Sequence, residues 1–244
     1  MVLSRRLRAV SDLVTQGNRL ADIGTDHAFV PIFLVEEGRI PFAVAMDVNA
    51  GPLERARDHI LAHGLEDRIL TRLGDGLQAL EEGEADTVLI AGMGGALTVR
   101  ILEMRGGLDS EVKELVLQPQ SEIASVRRYL EKTGWRIDRE QMVLEDGKYY
   151  QMMCCHPGRM ELTDAQALYG PCLMRDRPDV WTGYLQWRRG ILERNLSRLE
   201  QAQGERGEIR RAEIRAELDL LKHLRTCTGF FCTVPDRCQA AFDA

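Results

Sequence analysis

Three acids at the ends of apolar runs carry the first chemical signal in this chain. Asp22 lies in ADIG, Asp47 closes FAVAMD, and Asp75 sits between two glycines in GDG. Each falls where a buried strand would meet its turn. A fourth turn, Ala91-Gly92-Met93-Gly94-Gly95, has the same placement without an acid. A carboxylate at the second position, 25 residues after the first, can accept from both ribose hydroxyls of an adenosine. Asp75 can accept from an adenine amino group. Asp22, with the Gly24-Thr25 turn, can receive an ammonium or a bound water. Asp26 follows at once, where it would repel a pyrophosphate but not a sulfonium. The set describes a phosphate-free nucleoside bearing positive charge. S-adenosylmethionine fits that description and NAD does not: residues 24–29 read GTDHAF, so the full G-x-G-x-x-G is missing.

Each piece also has a plainer role. Asp26 can cap a helix starting at His27, and Asp47 can cap one entered through Asn49 and Pro52. GDG is most often only a turn. The weight lies on the joint placement at successive strand ends.

The elements that would position these residues alternate regularly. Leu3, Leu7, Val10 and Val14 repeat at helical spacing, with Arg5, Arg6 and Arg8 on the other face. Strands are then expected at 19–23, 41–48, 68–73, 86–92 and 113–119. Helices are expected at 27–37, 52–63, 76–82, 95–104 and 121–132. Two strands with no helix between them follow, 135–145 and 148–155, joined by Asp146-Gly147, a strong hairpin signal. The pattern predicts an α/β fold with an open, mostly parallel sheet and an antiparallel edge.

After Pro157-Gly158 the character changes. Residues 170–179 read as a connector. Leu185, Leu192, Leu196 and Leu199, then Ile214, Leu218 and Leu221, predict two long antiparallel helices in a coiled-coil hairpin turned at 203–207. The expected divisions are a domain over 1–160, connector and hairpin over 161–225, and a tail over 226–244 expected to be loosely packed.

Length and composition are those of an ordinary globular chain: 244 residues, 44% hydrophobic and 29% charged. The net charge of -6 argues against a general nucleic-acid coat but permits a local basic patch. No apolar run approaches a membrane span or a signal peptide. Six cysteines without a regular ladder suggest free thiols in a reducing cytoplasm.

LSRRL (3–7), ADIGTDHAFVP (21–31), GDGL (74–77), IAGMGG (90–95) and LQP (117–119) together resemble the bacterial tRNA (adenine-22-N1)-methyltransferases, within the class I methyltransferases. The resemblance covers about residues 1–225. It implies a Rossmann-like sheet of seven strands, S-adenosylmethionine as methyl donor and tRNA as acceptor. It also implies donor contacts at Asp22, Gly24, Asp47, Asp75 and Gly76, with Thr25 and Gly92 beside them, and acceptor contacts near Gln118 and Pro119. The family often carries asparagine after the Gln-Pro pair, where this chain has Gln120.

The turn after the fourth strand bears on the target. Enzymes that methylate exocyclic amines resemble one another in an Asn/Asp-Pro-Pro-Tyr/Phe turn there. The turn at 91–94 has neither the aromatic nor the acceptor side chain. Adenine N1 needs neither, because its lone pair is free in the ring plane. Its product is a cation, and a carboxylate beside the amino group would favour the developing charge. Asp26 is the candidate, His27 a structural or base-contacting residue, and Gly92, Met93 and Gly94 the space for an extruded base. Arg5, Arg6 and Arg8 are candidates for phosphate contact, with a second stripe at Arg188, Arg189, Arg194 and Arg198.

No metal is expected. His59 and His63 have helical zinc spacing, but Ile60 replaces the glutamate, and Cys154 and Cys155 are neighbours on a strand and face opposite ways. Two alternatives stay open: an RNA-binding module without catalysis, and methylation of another ring nitrogen in RNA. Monomer and dimer are equally compatible with the sequence.

Overall fold

The structure, a computed structural model, describes residues 1–104, 111–199 and 205–226. They form two compact units, Met1–Leu162 and the chain from Thr163 onward.

The first unit is built on one seven-stranded sheet. Its strands are β1 (Leu20–Ile23), β2 (Ala43–Asp47), β3 (Ile69–Leu73), β4 (Thr87–Ala91), β5 (Glu114–Gln118), β6 (Trp135–Glu145) and β7 (Lys148–Pro157). Their order is β3-β2-β1-β4-β5-β7-β6. The first five run parallel, and β7 and β6 close one edge antiparallel. β1 pairs with both β2 and β4, so the order reverses there, and a crevice opens at the carboxyl ends of β1 and β4. All four β1 residues are buried, as expected of a strand covered on both faces.

Helices α1 (Arg5–Leu13), α2 (Phe29–Glu36), α3 (Ala50–Ala62), α4 (Gly95–Glu103) and α5 (Ile123–Thr133) accompany the sheet, with a short 3₁₀ turn at Gly76–Ala79. The first turn of α1 is secured twice. Ser4 Oγ accepts from Leu7 N, and the Glu145 carboxylate accepts from the backbone N–H groups of Arg5 and Arg6 at 2.6 and 3.3 Å. An acid at these otherwise orphan donors also suits the helix dipole. Ala9, Val10 and Leu13 bury the opposite face.

Two networks join distant elements inside this unit. Arg127 of α5 and Glu140 of β6 form an ion pair at 2.8 Å with both side chains fully buried, and Arg127 also donates to Gln151 of β7. Glu114, buried at the start of β5, accepts from Thr15, Thr87 and the Cys154 thiol. Cys154 and His156 share a face of β7, two residues apart, and His156 approaches both Glu114 and Asp138. Burial first, then the Glu114 charge, pushes the Cys154 thiol up to about 12.

The second unit is helical, with α6 (Asp164–Tyr169), α7 (Pro171–Asp176), α8 (Asp179–Leu199) and α9 (Glu205–Thr226). The span 170–179, expected as a connector, holds a helix instead. Pro171 takes the first helical position and Arg177, in the left-handed region before Pro178, ends it. Thr163 and Gln166 form a capping box that starts α6. α8 and α9 pack on each other, and Leu185, Leu192, Ile214 and Leu221 on these helices are buried. Arg188 grips Glu217 with two bonds of 2.7 and 2.9 Å, and Tyr169 donates to the same carboxylate. The expected tail beyond Thr226 and residues 203–204 of the expected turn lie outside the described residues, and residues 205–207 of that turn are helical, the start of α9.

Candidate active site

The crevice at the β1–β4 switch is a cleft of about 350 Å³. It is lined by Arg6 and Leu7 from α1, by Asp22 of β1, by Gly24, Thr25 and Asp26 in the turn after it and Phe29 at the start of α2, by Gly92 and Met93 after β4, and by Gln120 after β5. Helix α1 and the loops after β1, β4 and β5 therefore meet at one place, at the carboxyl ends of the parallel strands.

Gly24 turns the chain at the end of β1 with φ +74, a conformation that favours glycine. A Cβ there would sit 1.9 Å from the Met93 methyl, so a side chain at this position would displace the end of Met93. Gly24 N and Thr25 N both donate to Met46 O at 2.8 Å, which ties this turn to the end of β2.

Asp22 is buried, and its carboxyl is raised to about 6. Burial is the main cause, Asp47 adds to it, and the nearby Thr25 hydroxyl partly offsets it. That hydroxyl is itself buried without a full hydrogen-bond partner. A buried acid raised above the ordinary carboxylate range and an unsatisfied hydroxyl at one wall form a site that a ligand cation and its donors would complete.

Asp47 ends β2 and does not cap α3. Its Oδ1 instead accepts from Asn49 N at 2.7 Å and Asn49 Nδ2 at 3.2 Å, and its Oδ2 has no hydrogen bond among the described residues. Val48 beside it is 58% exposed, an apolar side chain held open at the sheet's carboxyl edge. Asp75 is exposed just before Gly76, which is buried with φ +56 and packed on Met104 and Ile101.

Asp26 does not cap α2. His27 and Ala28 both take left-handed backbone, with φ 65 and 53, and the helix begins only at Phe29. The Asp26 carboxylate stands in the cleft wall, paired with Arg55 at 3.0 Å and 3.4 Å from His27 Nε2. His27 stacks on Phe29 with ring centroids 5.0 Å apart and on His59 at 4.9 Å, and its Nδ1 is buried without a partner.

On the other wall, Gly92 has φ +82, and its N–H is bound to Gln118 O. Met93 O accepts from Gln120 N at 2.8 Å, while Gly94 precedes α4. Gln118 and Pro119 are buried behind the cleft rather than lining it, and the exposed side chain in that turn is Gln120.

The three arginines of α1 do not act as one cluster. Arg8 pairs with Asp12 and lies over the Phe33 ring, whereas Arg6 turns inward to the cleft. Arg5 is exposed. Val48, Phe29, Arg55 and Gln120 were absent from the sequence-derived site set. Val48 had a faint signal, the apolar residue after a strand-end acid. Arg55 had none, because its partner is 29 positions away.

Comparison with known proteins first defines the class: the family model described as a methyltransferase domain matches residues 3–153. The tRNA (adenine(22)-N(1))-methyltransferase of Bacillus subtilis strain 168 is 33% identical over 232 residues, covering 91% of this chain and 96% of its own. The crystal structure of the B. subtilis m1A22 tRNA methyltransferase TrmK aligns with a TM-score of 0.84 at 31% identity, over 91% of this chain and 98% of that one. Streptococcus pneumoniae Sp1610 in complex with S-adenosyl-L-methionine aligns with a TM-score of 0.83 at 34% identity, over 91% and 99%. The chain belongs to the tRNA (adenine(22)-N(1))-methyltransferase family.

Proposed function

We propose that this protein transfers a methyl group from S-adenosylmethionine to N1 of an adenine in tRNA, at position 22 by kinship. The observation that carries the reading is the cleft itself: buried Asp22 with an orphan Thr25 hydroxyl on one wall, and a glycine turn with no amine-binding side chain on the other.

Asp22 and the Gly24-Thr25 turn take the amino-acid end of the donor. Asp47, with one oxygen uncommitted, takes the ribose hydroxyls, and Val48 offers an apolar face beside them. Asp75 and the Gly76 turn take the adenine. Gly92 borders the reacting centre. The donor supplies a methyl group on a sulfonium, passed in line to the ring nitrogen, with S-adenosylhomocysteine as the other product. Asp26 faces the acceptor base and accepts from its amino group as positive charge builds on the ring. Arg55 and His27 hold that carboxylate in place. Gly92, Met93 and Gly94 leave room for the base, which must leave its pair to expose N1.

Arg5 on α1, and the exposed Arg194 and Arg198 on α8, contact tRNA phosphates. Arg188 and Arg189 belong less to that surface, since they pair with Glu217 and Glu193. No helix among the described residues is long and apolar enough to cross a membrane, and a tRNA substrate is consistent with a cytoplasmic reaction.

The test is transfer of labelled methyl from S-adenosylmethionine into bulk tRNA, followed by nuclease digestion. Label in 1-methyladenosine supports the reading. Donor binding without transfer would mark an RNA-binding module, and label in another nucleoside a different target. Asp26→Ala is expected to leave donor affinity within about twofold and lower the rate roughly 10²–10³-fold. An unchanged rate removes Asp26 from the mechanism.

A further inference from the structure

Away from the cleft, at the other end of the sheet, Glu114, Cys154 and His156 bring one ligating atom each to within 4.8 Å of one another. Glu114 is the first residue of β5, whereas the cleft opens beyond its last. The strands impose this grouping. Leu115 of β5 pairs antiparallel with Cys155 of β7, so the next step puts Glu114 opposite His156. Cys154 shares the face of His156, two residues apart. Cys155 points the other way. The third ligating group thus comes from another strand, 40 positions from Cys154 in the chain.

The spacings are those of ligands around a single ion. Glu114 Oε2 lies 3.4 Å from His156 Nε2 and 3.4 Å from Cys154 Sγ. Oxygen, nitrogen and sulfur ligands about 2.0–2.3 Å from a tetrahedral zinc stand roughly 3.3–3.5 Å from one another. Two of the three groups are also held from behind. Thr15 N and Thr87 Oγ1 donate to Glu114 Oε1 at 3.0 and 2.8 Å, and Thr15 Oγ1 donates to Oε2 at 2.5 Å. His156 Nδ1 lies 2.8 Å from Asp138 Oδ2, which a bulge between Ile137 and Arg139 frees from the ladder. A proton held between Nδ1 and Asp138 leaves Nε2 with its lone pair 3.4 Å from a carboxylate oxygen. Two acceptors at that distance are reconciled by a cation, and a carboxylate behind a histidine is the usual support of a metal ligand.

Two arginines border the cluster. Arg136 pairs with Asp138 at 2.6 Å. Arg139 Nη2 donates to Leu13 O at 2.6 Å and lies 3.3 Å from Cys154 Sγ and 3.8 Å from Glu114 Oε2. As a donor to sulfur it suits a thiolate, and its side chain is 47% exposed, so solvent screens its charge from a nearby ion. Glu114 and Cys154 are fully buried, while His156 is half-buried and leaves a way in from solvent.

We propose that Glu114, Cys154 and His156 form a zinc site, with Asp138 and Thr87 as positioning residues and water as the fourth ligand. Thiolate, imidazole and carboxylate at tetrahedral spacing favour zinc over magnesium or calcium, which take oxygen ligands. Burial and the Glu114 charge keep the thiol protonated without a metal. The thiol proton therefore passes to water as the S–Zn bond forms. The ion clips the β6–β7 hairpin to β5, and its site is independent of the donor cleft.

The test uses the full-length, reduced protein, stripped of metal and titrated with Co(II) and then Zn(II). The wild type is expected to bind one equivalent of Co(II) with a thiolate-to-cobalt absorption band that Zn(II) abolishes. Cys154→Ser should lose the band and Cys155→Ala should keep it. Asp138→Ala should weaken Zn(II) binding about 10–100-fold, and His156→Ala, at a partly exposed position, by more than that. Zn(II) should raise the urea midpoint of the wild type and leave that of His156→Ala unmoved. A wild type without the band overturns the site, and His156 is then only a partner of two acids. A band that survives Cys154→Ser overturns it too, assigning the metal to other cysteines. If Cys154→Ser does not fold, His156→Ala decides: Zn(II) affinity equal to wild type sinks the proposal.

Discussion

Asp22 shows how a binding site is bought with stability. Its carboxyl is held near 6 by burial, against an ordinary value of 3.8. The folded pKa lies above the unfolded one, so the folded state binds more protons between pH 4 and 6. Stability therefore falls as pH rises through that window, by about 2–3 kcal/mol in all. Asp22→Asn should remove this penalty, raising the ligand-free urea midpoint at pH 7.5 and not at pH 3.5. The same change should abolish donor binding. In the wild type, donor affinity should weaken as pH drops below about 6, approaching ~10-fold per unit, since protons then compete with the ligand ammonium. Calorimetry from pH 5 to 8 checks this, and a flat profile rules it out. The acids at the strand ends were legible in the sequence, because apolar runs mark where strands stop. The inward turn of Arg6 was not. It depends on Gln118, 112 positions away, and residue type alone makes Arg5, Arg6 and Arg8 look alike.

At the scale of elements, alternation of apolar runs and turns was enough to find the strands and most of the helices that flank them. The errors have local causes. The start of α2 was placed two residues early because His27 and Ala28 adopt left-handed backbone, which neither residue type announces. The helix at 171–176 was missed because glycine and proline at 170, 171 and 178 read as breakers, although proline at a first helical position starts a helix. Packing between elements leaves its own test. Arg127 and Glu140 join α5 to β6 with no solvent access. Arg127→Met alone should destabilise by about 3–5 kcal/mol, because it leaves a buried carboxylate without its cation. Arg127→Met with Glu140→Leu should recover much of that loss. Urea unfolding of the two variants decides it, and equal losses would show that the pair itself is not the cause.

At the scale of the whole molecule, the proposed donor and base contacts lie in one unit, while the proposed phosphate contacts are shared between Arg5 of that unit and the arginines of α8 in the other. Every residue assigned to donor or base lies within Met1–Leu162. The exposed arginines of α8 lie in the second unit. A chain ending at Leu162 is therefore expected to bind S-adenosylmethionine with near wild-type affinity. Its kcat/KM for tRNA should fall roughly tenfold or more, with a weaker dependence on salt, as phosphate contacts are lost. Full activity in the shortened chain would show that the helices do not contribute to RNA affinity.

The sealed pair of Arg127 and Glu140 also limits how the β6–β7 hairpin can be assembled. Side chains on a strand alternate between faces, so sliding either strand by one position would carry Glu140 or Gln151 to the wrong side. The guanidinium would then be locked in the interior with nothing to neutralise it. Misaligned hairpins are thus penalised, and the chain is left with a single arrangement of the two strands that carry Glu145 and Tyr150 to Arg6 on α1.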